Sequence, residues 1–347
     1  MNHILIKCLS KEPHLSQALT GFYMLCGKWG CRVEDHSEDQ AYPYHTAILD
    51  VEYKNRKIIY DMMDGYQYPE AIKYYLQQCD YYFKRSYSEE KNKSLGLPCV
   101  QKMYPYGFNY HVSCRNHPLD KSYIKERLKA VLRLPNDQYN NKSTYYNSGR
   151  FEEQPQYKTE GVKVLFMTRL WEPDDMYSDE VNEERKIINR TRITILRELK
   201  KNRDINFIGG LSDSEYAEAN APDLIIPGDL TYRKNYIREL HNSDICIGSM
   251  GLHESIGWKT GEYIAAAKAI INEKFHYEVP GDFLPGRNYL EYQTVAECLQ
   301  AVSELAADPD KLYAMKKQNQ IYYNRYLKPD MLIKNTLEIV DQGGGCN

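Results

Sequence analysis

The sequence predicts an α/β protein built from two doubly wound sheets that face each other across a cleft. Short apolar runs typical of buried strands alternate with helical patterns over residues 1–134, and again over residues 161–326. A polar stretch without periodicity, residues 135–160, separates the two series and predicts a linker. The length of 347 residues suits two domains of ordinary size.

The first series predicts a parallel sheet with helices on its faces, because strands and helices alternate. Pro69 stands near the start of one helix, where proline is tolerated. Residues 120–134 form a basic amphipathic pattern. The predicted strands are 3–9, 46–51, 57–62, 81–84 and 100–103, and the predicted helices are 16–28, 68–78 and 120–134.

The second series repeats this alternation after the linker. Residues 180–202 carry apolar side chains at helical spacing over a length that predicts a long helix. The predicted strands are 162–167, 205–208, 224–226 and 244–248, and the predicted helices are 180–202, 232–242, 295–306 and 309–326.

Composition excludes several classes of protein. Charged residues make up 27% and hydrophobic residues 42%, which is typical of a globular chain. A net charge of −3 gives no reason to expect nucleic acid as a partner. The nine cysteines contain no C-x-x-C pair, which favours reduced thiols in the cytoplasm. No segment has the pattern of a signal peptide or a membrane-spanning helix, so we expect a cytoplasmic protein.

The most informative stretch is residues 251–273, which follows an apolar strand-like run. It holds Glu254 and Glu262 with seven residues between them, and Gly257 stands three residues after the first. A strand, a glycine-bearing turn and a helix N-terminus form an anion site, because the first helical N–H groups have no internal partner. We therefore expect a site for the phosphates and ribose of a nucleotide. The structural alternative is a surface helix whose Glu262 favours the helix dipole.

These residues resemble the signature of the GT-B glycosyltransferases, in the retaining, nucleotide-sugar-dependent branch with a Glu–seven–Glu motif. The resemblance covers residues 161–340 loosely and rests on element order alone in the first 150 residues. It implies two Rossmann-like domains, with Glu254 beside the donor sugar and Glu262 on the ribose. It also implies that the C-terminal helix and tail, residues 327–347, return to the first domain.

Three basic residues are candidates for binding the diphosphate. Arg169 directly follows a predicted strand in a Thr-Arg-Leu sequence, where the resembled family has Gly-Arg-Leu and an arginine that clamps the donor. Its planar fork suits phosphate oxygens. The alternative is a surface arginine paired with Glu172 or Asp174. Lys259 is the first choice for a second positive charge and Arg192 the second, with a solvated helix charge as the alternative for either.

Backbone groups of residues 255–261 are expected to donate to the diphosphate, and Gly257 permits close approach. Trp258 is interpreted as a packing residue more than a sugar platform. Gly209 and Gly210 end a predicted strand, and either let the base approach or form a tight turn. The predicted nucleotide-sugar-binding residues are Glu262, Ser255, Ile256, Gly257, Trp258, Gly209, Gly210 and Arg192.

The first domain is expected to supply acceptor contacts. Asp61 and Asp64 follow a predicted strand, and either is a candidate general base if the enzyme inverts configuration. Asp64, before a glycine, could instead be a turn former. Arg85 follows another strand, and His14 stands in the first loop, where it could contact the sugar. The scattered histidines predict no metal site, and a GT-B enzyme needs none if basic groups stabilise the leaving diphosphate.

The leading hypothesis is a glycosyltransferase that moves a sugar from a nucleoside-diphosphate sugar to a glycan or other hydroxyl acceptor. Retention of configuration is implied by the resemblance, and a role in surface glycan synthesis is an expectation from what such enzymes do. Glu254, Arg169, Lys259 and Asp64 are the candidate catalytic residues, with no cofactor beyond the donor. The alternatives are a nucleotide-sugar epimerase of GT-B shape and a non-catalytic nucleotide-sugar-binding module.

Membrane contact is a further hypothesis, carried by the basic helix at residues 120–134. Basic amphipathic helices can lie on anionic lipid, here the inner face of the membrane. A packed helix with a solvated lysine face is the favoured alternative.

Overall fold

The computed structural model describes residues 4–27, 30–114, 117 and 147–343. The basic helix predicted at 120–134 and residues 135–146 of the predicted linker lie outside the described residues. The described chain forms one six-stranded and one five-stranded sheet, with helices between the strands. The predicted α/β class, with two sheet-containing halves on either side of a cleft, is confirmed. The domain boundaries themselves stay a prediction.

Strands and helices are numbered here in chain order over the described residues. The strands are β1 Ile4–Cys8, β2 Cys31–Asp35, β3 Ile48–Tyr53, β4 Arg56–Asp61, β5 Tyr81–Lys84, β6 Met103–Pro105, β7 Lys163–Thr168, β8 Asn206–Leu211, β9 Ile245–Gly248, β10 Ala269–Glu273 and β11 Tyr289–Tyr292. The helices are α1 Ser16–Cys26, α2 Pro69–Gln78, α3 Glu89–Ser94, α4 Asp179–Lys201, α5 Glu215–Asn220, α6 Gly228–Thr231, α7 Arg233–Asn242, α8 Trp258–Ala265, α9 Val295–Ala307, α10 Pro309–Tyr322 and α11 Pro329–Asp341.

The N-terminal sheet has the order β2-β1-β3-β4-β5-β6 and is mixed. β3 runs antiparallel to both β1 and β4, whereas the alternation of strands and helices predicts a parallel sheet. The reason is a two-residue turn at Lys54 and Asn55, with φ angles of 50° and 59°. Such a turn joins antiparallel neighbours, because a parallel connection needs a crossover of a dozen or more residues.

The C-terminal sheet is parallel, with the order β11-β10-β9-β7-β8. The chain leaves β7 for β8 on one side and returns to β9 on the other. The carboxyl ends of β7 and β9 therefore form the point where strand order reverses, which is where open α/β sheets bind ligands. Residues 224–226, predicted as a strand, instead begin with the last residue of a 3₁₀ turn, Pro222–Leu224, and form one isolated bridge, between Leu211 and Ile225.

The final helix, α11, packs against α1 of the N-terminal half. A Cβ on Gly21 of α1 would lie 2.2 Å from the Pro329 carbonyl oxygen, so this glycine is needed for the close contact. The Tyr60 hydroxyl of β4 lies 2.8 Å from Thr336 Oγ1. The predicted helix 309–326 is α-helical as far as Tyr322 and continues as a π-helical turn, Tyr323–Leu327, which leads into α11.

Candidate functional site

A cavity of about 390 Å³ lies between the two halves, at the carboxyl ends of β7 and β9. Its size falls in the usual range for small-molecule pockets, roughly 300–1,000 Å³. We call its two sides the N-terminal wall, formed by His14, Asp64 and Arg85, and the C-terminal wall, formed by residues after β7 and β9 and by the start of α8. The sequence-predicted residues that line it are Asp64, Arg169, Arg192, Ser255, Ile256, Gly257, Trp258, Lys259 and Glu262.

Helix α8 begins at the cavity. No side chain of the described residues caps its first N–H groups, and no acidic residue lies in its first turn. Gly257, the N-cap, has an ordinary φ of −66°, and a Cβ there would meet only Ser249 O, at 3.8 Å. The protein alone therefore does not require glycine at this position. The uncapped N–H groups and the open space above Gly257 suit an anion that approaches the backbone.

Two cations on the C-terminal wall have no carboxylate partner among the described residues. The Arg169 guanidinium lies 4.0 Å from the ring centroid of Trp171, and the alternative ion pair with Glu172 or Asp174 does not form. Partial desolvation at the cavity lowers the pKa of Arg169, although the residue as a whole is exposed. Lys259 Nζ lies 4.1 Å from the ring centroid of Tyr236. Desolvation of this half-buried amine lowers its pKa to about 8. Positive charge left unpaired in a cleft favours an anionic ligand.

Arg192 is buried and supports the cavity wall. It donates to Ser249 Oγ at 2.9 Å, to Arg169 O at 2.7 Å and to Met250 O at 2.9 Å. Burial lowers its pKa to about 10. These bonds hold together the chain segments that follow β7 and β9. The Arg192 guanidinium, which the sequence suggests as a phosphate ligand, therefore already donates its hydrogen bonds to protein atoms.

Glu262 lies at the base of the cavity with its side chain 2% exposed. One carboxylate oxygen lies 2.7 Å from Arg233 Nη1, and the other accepts from the Tyr236 hydroxyl at 2.7 Å. A carboxylate offers about four acceptor positions, so capacity for a ligand hydroxyl remains. Arg233 also donates to His111 O of the N-terminal half at 3.1 Å.

Sequence reasoning missed Arg233 and Trp171. Arg233 and Tyr236 stand three residues apart, which places both side chains on one face of α7. This spacing was the signal in the sequence that the two side chains could contact one carboxylate, here that of Glu262. Trp171 had no such signal, because its contact with Arg169 depends on the path of the loop after β7.

Glu254 lies outside this cavity. It lines a second cavity of about 510 Å³ together with Glu184 and Glu273. Its carboxylate lies 2.7 Å from Lys91 Nζ of α3 and 3.4 Å from His276 Nδ1. Partial burial raises the pKa of Glu254, but the hydrogen bond from Lys91 and the charges of His276 and Lys91 together lower the pKa overall. The first glutamate of the motif is therefore held by the opposite half of the protein.

The backbone at this glutamate is strained. His253 and Glu254 both have φ of 59°, in the left-handed region. Non-glycine residues held there cost on the order of 1–3 kcal/mol each and persist where neighbouring contacts fix them. The hydrogen bond from Tyr277 Oη to His253 O, at 2.8 Å, is one such contact.

Gly209 and Gly210 lie within β8 and do not line the cavity. A Cβ on Gly209 would lie 2.1 Å from Phe166 O, and one on Gly210 would lie 2.3 Å from Leu224 O. These glycines allow close backbone packing around β8. The tight-turn alternative does not describe them either, since both residues are in the strand.

The N-terminal wall carries paired charges. Arg85 Nη1 lies 2.6 Å from Asp64 Oδ1, and Nη2 donates to Ile256 O across the cleft at 2.7 Å. Asp61 is buried in the sheet, where it accepts from Lys84 and Tyr82, both at 2.8 Å. Asp61 therefore belongs to the core, and Asp64 is the aspartate of the pair that reaches the cavity.

Trp258 packs between two histidine rings, with centroid distances of 4.8 Å to His14 and 5.7 Å to His111. This agrees with its interpretation as a packing residue. The described residues contain no group of three or more histidine, cysteine, aspartate or glutamate side chains arranged to hold a metal ion. None of the described helices combines the length and the apolar character that a membrane crossing requires.

Neither protein-family models nor curated proteins match this sequence. Several solved structures, however, resemble this chain in fold. TarM of S. aureus is 10% identical over 78% of this chain and 46% of its own, with a TM-score of 0.43. Anabaena HepE, in complex with UDP, is 11% identical over 82% and 72%, with a TM-score of 0.41. Sucrose-phosphate synthase of Thermosynechococcus elongatus is 14% identical over 79% and 60%, with a TM-score of 0.38. The chain spans about half the length of TarM.

Proposed function

We propose that the protein is a glycosyltransferase that uses a nucleoside-diphosphate sugar and transfers the sugar to a hydroxyl acceptor. The observation that carries the proposal is the C-terminal wall. There, two cations without a carboxylate partner in the described part of the chain, Arg169 and Lys259, face the same cavity as the uncapped N-terminus of α8. This combination suits a diphosphate, because both the helix end and the cations favour negative charge.

In this proposal the diphosphate lies between Arg169, Lys259 and the first N–H groups of α8, and the ribose reaches Glu262. Negative charge grows on the diphosphate as the bond to the sugar breaks. Donors that are already in place stabilise that charge without reorganisation, which is usually a dominant catalytic contribution. No metal ion is needed for this step in the proposal.

The sugar then extends from Gly257 toward the N-terminal wall. Transfer with retention, an acceptor glycan and a role in surface glycan synthesis belong to the proposal through the resemblance of the glutamate motif. For Glu254 to steady the sugar, its carboxylate must leave Lys91 and turn toward the cavity. Asp64 lies on this wall, toward which the sugar extends.

The test has two stages. Calorimetric titration with UDP, GDP, ADP and TDP identifies the nucleotide, and one of them is expected to bind in the micromolar range. The matching nucleotide sugars are then incubated with the protein and simple sugar acceptors, and nucleotide release and product configuration are followed by NMR. Release that depends on acceptor supports the transferase.

Other outcomes decide between the alternatives. Conversion of the donor sugar without any acceptor would identify an epimerase. Tight binding of donor with no turnover would identify a non-catalytic module. Failure of every nucleotide to bind would contradict all three readings of the cavity.

A further inference from the structure

The N-terminal wall is organised around one guanidinium. Arg85 is 5% exposed and donates to Asp64 Oδ1 at 2.6 Å, to His14 Nδ1 at 3.1 Å and to Ile256 O at 2.7 Å. A guanidinium can only donate hydrogen bonds. The charge of Arg85 is therefore balanced by Asp64, and its position is fixed by both halves of the protein.

These contacts determine which nitrogen of His14 carries its proton. Because Nδ1 accepts from Arg85, the neutral ring has its proton on Nε2. Burial, followed by the charge of Arg85, lowers the pKa of His14 to about 4, so the ring is neutral near pH 7. His14, which lines the cavity, therefore carries one N–H donor, at Nε2, and no positive charge.

Asp64 supplies the complementary acceptor. Its side chain is 36% exposed and binds Arg85 through Oδ1, which leaves Oδ2 able to accept from a ligand. His14 and Asp64 are bound to the same guanidinium nitrogen and must lie close together. A donor beside an acceptor matches two neighbouring hydroxyl groups, one accepting from His14 and one donating to Asp64.

The charge on this wall differs from that on the opposite wall. Glu12 lies near enough to Asp64 that desolvation, with the Asp64 charge, raises its pKa. Arg85 offsets one negative charge and already has a carboxylate partner. Within the residues that the structure describes, Arg169 and Lys259 have no such partner. A carboxylate on the sugar would meet negative charge here and would find no unpaired cation.

We infer that the N-terminal wall selects an uncharged sugar with neighbouring hydroxyl groups and rejects a sugar acid. The inference rests on the proposed function, since it concerns the sugar end of the donor. It names His14 and Asp64 as the residues that determine this specificity.

Calorimetry with matched donors tests it. Once the nucleotide is known, UDP-glucose is compared with UDP-glucuronate, or GDP-mannose with GDP-mannuronate, against the free nucleotide. The neutral sugar is expected to bind about tenfold or more tightly than the acid, because like charges in a binding site are strongly unfavourable. Equal or tighter binding of the acid overturns the inference and leaves the nucleotide site intact. Failure of all nucleotides to bind overturns both.

The Asp64→Asn variant gives the sharpest result. It keeps the shape of the side chain but leaves Arg85 without its carboxylate, so the preference for the neutral sugar should shrink by about tenfold or reverse. Asp175→Asn, at an exposed position, is the matched control and should keep the wild-type preference. An unchanged ratio in Asp64→Asn overturns the inference, because a residue with a purely structural role would not alter charge selectivity.

His14 variants provide a second test if Asp64→Asn does not fold. His14→Leu removes the donor and should weaken binding of the neutral donor by about tenfold relative to the free nucleotide. His14→Gln restores an N–H donor and should recover part of that loss. Equal behaviour of the two variants overturns the role of His14.

Discussion

Both walls of the cleft carry an arginine, but the arginine of the N-terminal wall is paired with a carboxylate and that of the C-terminal wall is not. On the N-terminal wall, Arg85 is 2.6 Å from Asp64 and is fixed in place. On the C-terminal wall, Arg169 and Lys259 contact aromatic rings and have no carboxylate partner within the described chain. Paired charges recognise hydroxyl groups by geometry, whereas unpaired cations attract an anion. The difference gives the cleft a diphosphate end and a sugar end.

The largest expected effect comes from Glu262, the one buried carboxylate on the C-terminal wall of the cavity. Glu262→Ala leaves Arg233 and Tyr236 without their partner, and breaking a buried ion pair typically costs about 3–5 kcal/mol of unfolding free energy. Urea denaturation measures this. Glu218→Ala, at an exposed position, is the control and should change stability by less than about 0.5 kcal/mol. A Glu262→Ala variant as stable as the wild type would show that the pair does not hold this wall together.

The next effect concerns Arg169. Arg169→Ala removes a charged donor from the diphosphate end and should weaken nucleotide binding by about 1.5–3 kcal/mol. The stability of the fold should change little, because the guanidinium contacts Trp171 without forming an ion pair. Calorimetric titration compares it with Arg190→Ala, an exposed arginine on α4. Equal losses in the two variants would mean that general surface charge, and not the cavity, binds the nucleotide.

Gly257→Ala separates ligand contact from protein packing. The position has an ordinary φ and room for a Cβ, so the variant should be about as stable as the wild type, because alanine restricts the unfolded chain but is a poorer N-cap residue than glycine. Nucleotide affinity should still fall by about 1–3 kcal/mol, since a methyl group would occupy the space where the diphosphate approaches the backbone. Thermal melting and titration are measured on the same sample. Unchanged affinity would place the diphosphate away from the start of α8.

Lys259 should give nucleotide binding a dependence on pH. Desolvation lowers its pKa to about 8, so the amine is charged below that pH and neutral above it. The charged form attracts the diphosphate, and affinity should therefore fall as pH rises through 8, by at most about tenfold per pH unit for a single group. Titrations from pH 7 to pH 9 check this. Lys259→Arg should remove the dependence, and a dependence that persists in that variant would assign it to another group.

The smallest effect is expected from Lys91, whose pair with Glu254 joins the two halves. The two side chains are 37% and 45% exposed, and ion pairs at this exposure contribute about 0–1 kcal/mol. Lys91→Met should therefore change unfolding free energy by less than about 1 kcal/mol, measured by urea denaturation. A much larger loss would show that this pair is a principal link across the cleft.

Sequence reasoning located the parts of the site that depend on local chain order. Arg169 directly follows β7, and Glu262 lies on the first helix after β9, so strand and helix positions alone place both at the switch point. The antiparallel β3 also had a local signal, the two-residue connection Lys54–Asn55 between apolar runs, which favours a hairpin.

Long-range packing decided the features that the sequence did not predict. Arg233 and Tyr236 reach Glu262 from a helix about 26 residues away in the chain, and no local pattern specifies that these segments meet. Glu254 is directed away from the first cavity by its left-handed backbone and by Lys91, a residue of the other half. Gly209 and Gly210 looked like ligand contacts, but their neighbours are the backbones of residues distant in sequence.

A crystal structure with the nucleoside diphosphate that binds would test the central claim most directly. We predict that its phosphate oxygens lie within hydrogen-bonding distance of the Arg169 guanidinium, of Lys259 Nζ and of the first N–H groups of α8, with a ribose hydroxyl on Glu262. A nucleotide bound in the second cavity beside Glu254, or with its phosphates against the N-terminal wall, would contradict the assignment of the C-terminal wall as the diphosphate end.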